Sequence, residues 1–218
     1  MPDPQSKNAH IFEREENDHY VEQDWTVDLL LDAITFTGSV WDPACGFGTI
    51  PKACQRAGIK HVIGTDLIDR GYGTGGQDFL KFSRKLIRRE DNIITNPPYK
   101  HTEDFIHQGL KFSRDKAAFL VPVKFLASNS RYPLFTQLPI WRVCILSSPP
   151  SMLPGHLLAA GQKPGGGSVD YCWIVFKHGY TGTPGTIWLK RKGAKSRPYG
   201  SDRVRKQAPE NALGGANV

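Results

Sequence analysis

Short runs of apolar residues alternate with segments of helical periodicity along most of the chain. The apolar runs predict strands over 39–42, 61–65, 92–95, 117–121, 141–146, 171–176 and 186–189. Apolar residues at helical spacing predict helices over 25–34, 49–57, 102–112 and 126–137. Strands that alternate with helices in this way predict an α/β fold, in which a mostly parallel sheet is covered by helices on both faces.

Three segments depart from this alternation. Residues 147–168 are rich in Pro, Gly and Ser, which predicts a long mobile loop of the kind that often carries substrate contacts. Residues 1–18 are polar and charged and are interpreted as an N-terminal arm. Residues 190–218 are basic without apolar periodicity, which is typical of a tail that is disordered until bound. We therefore expect one domain, over 19–189, that is long enough to bury a sizeable core.

The composition narrows the class of protein. No apolar run approaches the ~18 residues that a membrane span needs, and the polar N-terminus lacks a secretory signal, so we expect a cytoplasmic protein without membrane contact. A net charge of +7 fits a polyanionic partner such as nucleic acid. The cysteines form no Cys-x-x-Cys pair, so they are interpreted as reduced, mostly buried thiols and no metal site is predicted. They are Cys45, Cys54, Cys144 and Cys172.

A glycine-containing turn connects the first long strand to the next helix. Gly46 and Gly48 lack side chains at a place where a backbone must approach a ligand closely. Asp66 follows twenty residues after Gly46 and ends the next strand, where its carboxylate can accept both hydroxyls of a ribose. This pattern suits an adenosine-containing cofactor, although nicotinamide and flavin proteins share it.

A second polar segment directly follows the strand at 92–95. It is the NPPY tetrapeptide of residues 96–99, in which two prolines fix an amide side chain and an aromatic ring at the end of the strand. Both motifs follow strands, and parallel strands have their carboxyl ends at the same edge of a sheet. Ligands of such folds bind at this edge. The two motifs are therefore expected in one site.

The tetrapeptide and the segment DPACGFG at 42–48 together resemble S-adenosylmethionine-dependent amino-methyltransferases. Their order along the chain, cofactor loop before catalytic loop, is similar to that of the gamma group of DNA adenine-N6 methyltransferases. Residues 149–152 and 171–176 also resemble short phage-type methyltransferases. The resemblance spans roughly residues 11–189. It implies a Rossmann-like class I methyltransferase fold, with a mostly parallel sheet, an antiparallel edge strand and helices on both faces.

The resemblance also implies roles for individual residues. The Asn96 side-chain oxygen and the Pro97 carbonyl would accept the two hydrogens of the acceptor amine, and Tyr99 would stack on the acceptor. The implied catalytic residues are Asn96, Pro97, Pro98 and Tyr99. The implied cofactor-binding residues are Tyr20, Trp25, Asp42, Pro43, Ala44, Cys45, Gly46, Gly48, Asp66, Asp78, Phe79 and Asn96.

The implied reaction is methyl transfer from S-adenosylmethionine to adenine N6 in DNA, in a bacterial or phage-infected cell. The same tetrapeptide is found in enzymes that methylate adenine N6 or guanine N2 in RNA, or a protein glutamine amide. An inactive methyltransferase-like protein that binds nucleic acid is a further alternative. Two basic stretches, 81–89 and 190–206, are candidates for phosphate contacts. The chain leaves little room for a separate target-recognition domain, so strict sequence specificity is not expected.

Overall fold

The computed structural model describes residues 19–83 and 89–194. The strands in these ranges are β1 (Tyr20–Val21), β2 (Ser39–Asp42), β3 (His61–Gly64), β4 (Glu90–Thr95), β5 (Ser113–Pro122), β6 (Ile140–Leu146), β7 (Leu153–Pro154), β8 (Tyr171–Lys177) and β9 (Gly185–Leu189). The α-helices are α1 (Asp24–Ala33), α2 (Thr49–Arg56), α3 (Thr102–Phe112), α4 (Tyr132–Gln137) and α5 (Gly155–Ala159). The predicted strands are all present, with ends shifted by a few residues.

Seven of these strands form one sheet in the order β3-β2-β4-β5-β8-β6-β9. β3, β2, β4 and β5 pair in parallel, and β9 pairs in parallel with β6. β8 alone runs antiparallel to its neighbours among the described strands of this sheet. The prediction of a mostly parallel sheet is confirmed.

The expected position of the antiparallel strand is wrong. β8 lies inside the sheet between β5 and β6, and six of its seven residues are buried. The strand at the edge of the sheet beyond β6 is β9, whose residues alternate between exposed and less exposed positions. A continuous apolar run such as 171–176 can be covered on both faces only in the interior of a sheet, which is why this segment occupies that place.

Helices cover both faces of the sheet, as predicted. Val27 and Leu30 of α1 and Ile50 of α2 pack with Val40 and Trp173 on one face. The other face is covered by α3 and α4, whose buried residues include Phe105, Ile106 and Leu134. The chain leaves β2 toward β3 on one side and returns to β4 on the other, so the strand order reverses beside β2. The crevice at the carboxyl ends of β2 and β4 is the expected ligand site of such a fold.

The predicted helix over 126–137 is only partly present. Two short 3-10 segments, Val123–Leu126 and Asn129–Arg131, precede α4, which has six residues. Ser and Asn at 128–130 favour turns because their side chains compete for backbone hydrogen bonds. Pro133 lies in the first turn of α4, where its missing N–H costs nothing.

The segment 147–168 is also more ordered than predicted. It contains β7 and α5, and β7 pairs antiparallel with β1 through Tyr20↔Pro154 and Val21↔Leu153. We call this pair of strands the β1–β7 ribbon. The ribbon brings residues near the start of the described chain to the carboxyl ends of the central strands.

Several predictions concern segments that the structure does not describe. The N-terminal arm, residues 195–218 of the basic tail and residues 84–88 of the first basic stretch lie outside the described ranges. The domain limits of 19–189 stay a prediction. Within 19–83 and 89–194, every helix is too short or too polar to span a lipid bilayer.

Candidate active site

A cavity of about 460 Å³ opens at the carboxyl ends of β2, β3 and β4. Residues from three loops and from the tetrapeptide line it, as expected for a doubly wound sheet. The implied site residues that line it are Pro43, Ala44, Asp66, Asp78, Phe79, Asn96 and Pro98. His19, Arg70 and Lys100 also line the cavity and were not expected from the sequence.

The glycine turn after β2 needs its glycines for backbone conformation and for close packing. Gly46 and Gly48 have φ angles of 50° and 81°, in the left-handed region that favours glycine. A Cβ atom on Gly46 would lie 2.6 Å from the His19 ring, and one on Gly48 would lie 2.4 Å from the Tyr72 ring. The turn is therefore packed against aromatic side chains that the motif itself does not contain.

Asp66 holds the glycine turn against the end of β3. Its Oδ2 accepts the Gly46 N–H at 2.8 Å, and its Oδ1 accepts the Ile68 N–H at 2.9 Å. The Arg70 Nε lies 4.0 Å from Oδ1. Each carboxylate oxygen has two acceptor positions, so both oxygens can still accept a hydroxyl from the cavity. The geometry is compatible with the implied role in ribose binding.

Asp78 and Phe79 both line the cavity, but their side chains differ in what they contact. Asp78 accepts the Leu80 N–H through Oδ1 at 3.1 Å and pairs with Lys81 Nζ at 3.1 Å. Phe79 is only 2% exposed, and its ring packs edge-on against Trp41 in the core. Phe79 therefore lines the cavity with a ring that is almost wholly part of the core.

Asn96 is held in one orientation by two acceptors. Its Nδ2 donates to the Tyr20 carbonyl oxygen at 2.7 Å and to Glu22 Oε2 at 2.9 Å. Its Oδ1 is buried and has no hydrogen-bond partner among the described residues. Asn96 also lines the cavity. The side chain therefore presents an unused acceptor at the carboxyl end of β4.

Tyr99 is fixed by two other tyrosines. Its hydroxyl lies 2.8 Å from the Tyr171 hydroxyl, and its ring stacks on Tyr20 with centroids 5.4 Å apart and planes 17° apart. The β1–β7 ribbon brings Tyr20 to this position, a contact that the sequence does not indicate. One face of the Tyr99 ring is thus covered by Tyr20.

Two carboxylates lie at this end of the sheet: Glu22, which is partly exposed and accepts from Asn96, and Asp42, which is buried. Desolvation raises the pKa of Glu22, and hydrogen bonds from its own backbone and from Asn96 oppose that effect. Burial and the charge of Glu22 raise the pKa of Asp42 well above its ordinary value. Asp42 Oδ2 is buried without a hydrogen-bond partner in the described chain. Such a pair favours a cation or a proton nearby. Glu22 was missed because nothing near it in the sequence relates it to residue 96.

The remaining implied cofactor residues lie outside the main cavity. Tyr20, Cys45 and Gly46 line a small adjoining cavity of about 20 Å³ that also reaches Asn96. Trp25 lines a separate open groove, where its Nε1 donates to Gln23 Oε1 at 3.2 Å. The structure therefore does not bring Trp25 to the cavity. It is a residue of α1, and its ring packs against the core on that face of the sheet.

The cysteines are buried free thiols, as predicted. Burial, reinforced by the charges of Asp42 and Asp66, raises the pKa of Cys45 to about 12, so its thiol is not a nucleophile at neutral pH. Within the described ranges, no group of three His, Cys, Asp or Glu side chains is arranged to hold a metal ion.

No protein-family model matches the chain, and no curated protein matches it in sequence. Solved structures match in fold. A modification subunit of a putative type I restriction enzyme from Vibrio vulnificus YJ016 gives a TM-score of 0.54 at 15% identity and covers 81% of this chain, which spans 48% of that subunit. A putative hemolysin from Streptococcus thermophilus gives 0.52 at 12% identity, covering 75% of this chain and 67% of that one.

A putative hemolysin from Lactococcus lactis gives a TM-score of 0.50 at 13% identity, covering 79% of this chain and 94% of that one. At these identities the likeness concerns the fold. The sheet order and these neighbours define a Rossmann-like α/β fold, a mostly parallel sheet with helices on both faces.

Proposed function

We propose that the protein transfers a methyl group from S-adenosylmethionine to an exocyclic amino nitrogen, and that the acceptor is adenine N6 in DNA. The observation that carries this proposal is the orientation of Asn96. Its amide nitrogen is held by Tyr20 and Glu22, its Oδ1 is buried without a partner among the described residues, and the residue lines the cavity. An unused, rigidly held acceptor suits a substrate that brings hydrogen-bond donors, such as an amino group.

The chemistry of an aromatic amine explains why such an acceptor matters. The amine is a poor nucleophile because its lone pair is delocalised into the ring. Acceptors for its two hydrogens favour a more tetrahedral nitrogen and free the lone pair. Asn96 Oδ1 would accept one hydrogen, and the Pro97 carbonyl, as the family resemblance implies, would accept the other. Positioning of this kind supplies a large part of the acceleration in many enzymes.

The ring of Tyr99 suits a stacking surface for the acceptor base. Tyr20 and Tyr171 hold it in place through ring contact and a hydrogen bond. A rigid ring loses little conformational entropy when a base stacks on it. In duplex DNA the base must first be flipped out of the helix, at a cost of a few kcal/mol that stacking and hydrogen bonds offset.

The residues at the cavity fit S-adenosylmethionine. The cavity of about 460 Å³ lies within the usual range for small-ligand sites. Asp66, which lines the cavity, would accept the ribose hydroxyls. Asp42 is buried directly before Pro43 and Ala44 of the cavity lining, and its Oδ2, which lacks a partner in the described chain, would accept the ammonium group of the methionine part. When bound, the cofactor supplies an electrophilic methyl group on a sulfonium. Asp78, Phe79 and the glycine turn would hold the remaining parts.

Three observations support DNA as the acceptor. The chain carries a net charge of +7, which favours a polyanion. The fold is similar to that of a protein described as a modification subunit of a restriction enzyme. The order of the two motifs adds to this, because it resembles that of DNA adenine-N6 methyltransferases.

Methyl-labelled S-adenosylmethionine tests the proposal directly. The purified protein is incubated with the labelled cofactor and, separately, with duplex DNA, single-stranded DNA and RNA, and the digested nucleosides are identified by mass spectrometry. We expect N6-methyladenine from DNA. Label in RNA alone would keep the fold and the amine chemistry but replace the substrate. Absence of label from all three would contradict the proposal and direct attention to protein amides.

A further inference from the structure

The orientation of the Asn96 amide is determined by its partners. Both groups within hydrogen-bond distance of Nδ2, the Tyr20 carbonyl oxygen and Glu22 Oε2, are acceptors. A carbonyl and a carboxylate would repel an amide oxygen at the same place, so the nitrogen must face them. The oxygen consequently faces away from them.

The two acceptors differ in what holds them. The Tyr20 carbonyl belongs to the β1–β7 ribbon, whose backbone pairing fixes its position. Glu22 follows the ribbon directly and is partly exposed, and it lines the same groove and small cavity as Thr49 at the start of α2. Glu22 therefore links three parts of the site: the ribbon, the helix after the glycine turn, and the tetrapeptide. It is the acceptor that a side-chain substitution can remove.

We propose that Glu22 is a positioning residue for methyl transfer, which holds the Asn96 amide so that Oδ1 is presented to the acceptor amine. This inference rests on the proposed function. Without Glu22, the amide keeps one acceptor, the Tyr20 carbonyl, and gains freedom to rotate. In rotated orientations the amide nitrogen, a donor, would face the amino group of the substrate, which also donates, and the reactive geometry would be lost.

The cost of losing this contact is set by the strength of a hydrogen bond to a charged group. Such a bond contributes about 1.5–3 kcal/mol, which corresponds to a change of about 10- to 100-fold in rate when it acts on the reactive geometry. Because Glu22 acts through Asn96, the loss should fall on kcat. The affinity for S-adenosylmethionine should change much less.

Two substitutions at Glu22 separate positioning from other roles. Glu22→Met keeps the volume of the side chain but offers only a weak acceptor, and Glu22→Gln keeps an oxygen that can still accept from Asn96. Glu103→Gln and Glu103→Met are matched controls, because Glu103 is exposed on α3 and pairs with Arg131. For each variant, kcat, the Kd for S-adenosylmethionine and the melting temperature are measured, the first on the DNA that the wild type methylates.

We expect Glu22→Met to lower kcat by about 10- to 100-fold, because one charge-assisted hydrogen bond to Asn96 is lost. The cofactor Kd should change by less than about threefold. Glu22→Gln should recover most of kcat, and the Glu103 variants should match the wild type. An unchanged kcat in Glu22→Met, or an equal loss in Met and Gln variants, would overturn the inference. A large rise in cofactor Kd with kcat retained would instead make Glu22 a cofactor ligand. If the wild type itself methylates no acceptor, the proposed function fails first.

Discussion

Asn96 Oδ1 and Asp42 Oδ2 are buried oxygens without hydrogen-bond partners among the described residues. Leaving a buried acceptor unpaired costs about 1–3 kcal/mol, so each of these two oxygens gains when a ligand brings a donor to it. Both lie at the carboxyl ends of neighbouring strands, β2 and β4. Asn96 Oδ1 is proposed to act on the acceptor amine and Asp42 Oδ2 to bind the cofactor, so substitution of one residue at a time tests each role.

Asn96→Ala should abolish methyl transfer while largely sparing the cofactor. Removing the acceptor for the substrate amine should lower kcat by at least about 100-fold, comparable with the loss of one preorganised hydrogen-bonding group in other enzymes. The Kd for S-adenosylmethionine, measured by calorimetry, should change little. Asn129→Ala, at an exposed position in the 3-10 segment before α4, is the matched control. Methyl transfer by Asn96→Ala at a near wild-type rate would refute the assigned role.

Asp42→Asn should make the stability of the ligand-free protein less dependent on pH. Burial and the charge of Glu22 raise the pKa of Asp42 above its ordinary 3.8. The folded state therefore binds the Asp42 proton more tightly than the unfolded chain does. The stability gained from this proton is fully present below pH 3.8 and is lost as pH rises through the folded-state pKa of Asp42. Asn cannot ionise, so the variant should lose less of its free energy of unfolding between about pH 4 and neutrality.

Melting temperatures across that pH range, with and without S-adenosylmethionine, measure both consequences of Asp42→Asn. The variant should melt higher than the wild type at neutral pH without the cofactor, and should gain less when the cofactor is added. Asp32→Asn, at an exposed ion pair with Lys192, provides the control. If the melting temperatures of wild type and Asp42→Asn change with pH in parallel, ionisation of Asp42 does not destabilise the folded protein, and the prediction is wrong.

At the scale of elements, the glycine turn and the β1–β7 ribbon form the site together. The turn places its backbone against His19 and Tyr72. The ribbon and the residue that follows it bring Tyr20 and Glu22 to the tetrapeptide. The turn was expected from its sequence, because two glycines after a strand predict a left-handed backbone. The ribbon was not expected, since β1 and β7 are two-residue strands that no periodicity marks.

Gly48→Ala should destabilise the protein more than Gly58→Ala. Both glycines have a left-handed backbone, with φ of 81° and 89°, so both variants carry a strain of about 1–2 kcal/mol. Only Gly48 has a neighbour in the way, the Tyr72 ring at 2.4 Å from the added carbon, whereas nothing lies within 4 Å at Gly58. Overpacking should add about 1–3 kcal/mol at Gly48. Equal midpoints of urea unfolding would show that the Tyr72 ring yields freely.

At the scale of the whole molecule, the cavity is built from loops that follow β2, β3 and β4, and from the ribbon. A ligand that contacts all of these stabilises the fold as a unit, because it binds the native state and not the unfolded chain. At a concentration of 100 Kd, S-adenosylmethionine should add about 2.7 kcal/mol to the free energy of unfolding.

For a domain of this size that gain corresponds to a rise of about 5–10 °C in melting temperature. Differential scanning fluorimetry with S-adenosylmethionine, with its demethylated product and with NAD measures the effect and its selectivity. The first two should stabilise and NAD should not. An equal shift with NAD would point to the dinucleotide proteins that share the glycine turn, and no shift with any of them would favour a protein that has lost its cofactor.

The sequence by itself determined the identity of most elements and the placement of both motifs. Apolar runs and helical periodicity report which face of an element is buried, and this local information located every strand of the large sheet and four of the helices, in one case only in part. The positions of Asp42, Asp66 and Asn96 at the carboxyl ends of their strands followed as well, because a parallel sheet places these ends at one edge.

Only the tertiary structure decided where β8 lies and what holds Asn96. β8 pairs with strands distant in the sequence, and strand order depends on which partners cover an apolar run rather than on the run itself. Glu22 meets Asn96 across 74 residues, and Gln23 meets Ser151 across 128, through contacts that no local pattern encodes. Periodicity specifies the face on which a side chain lies, whereas its partner depends on how distant segments pack together.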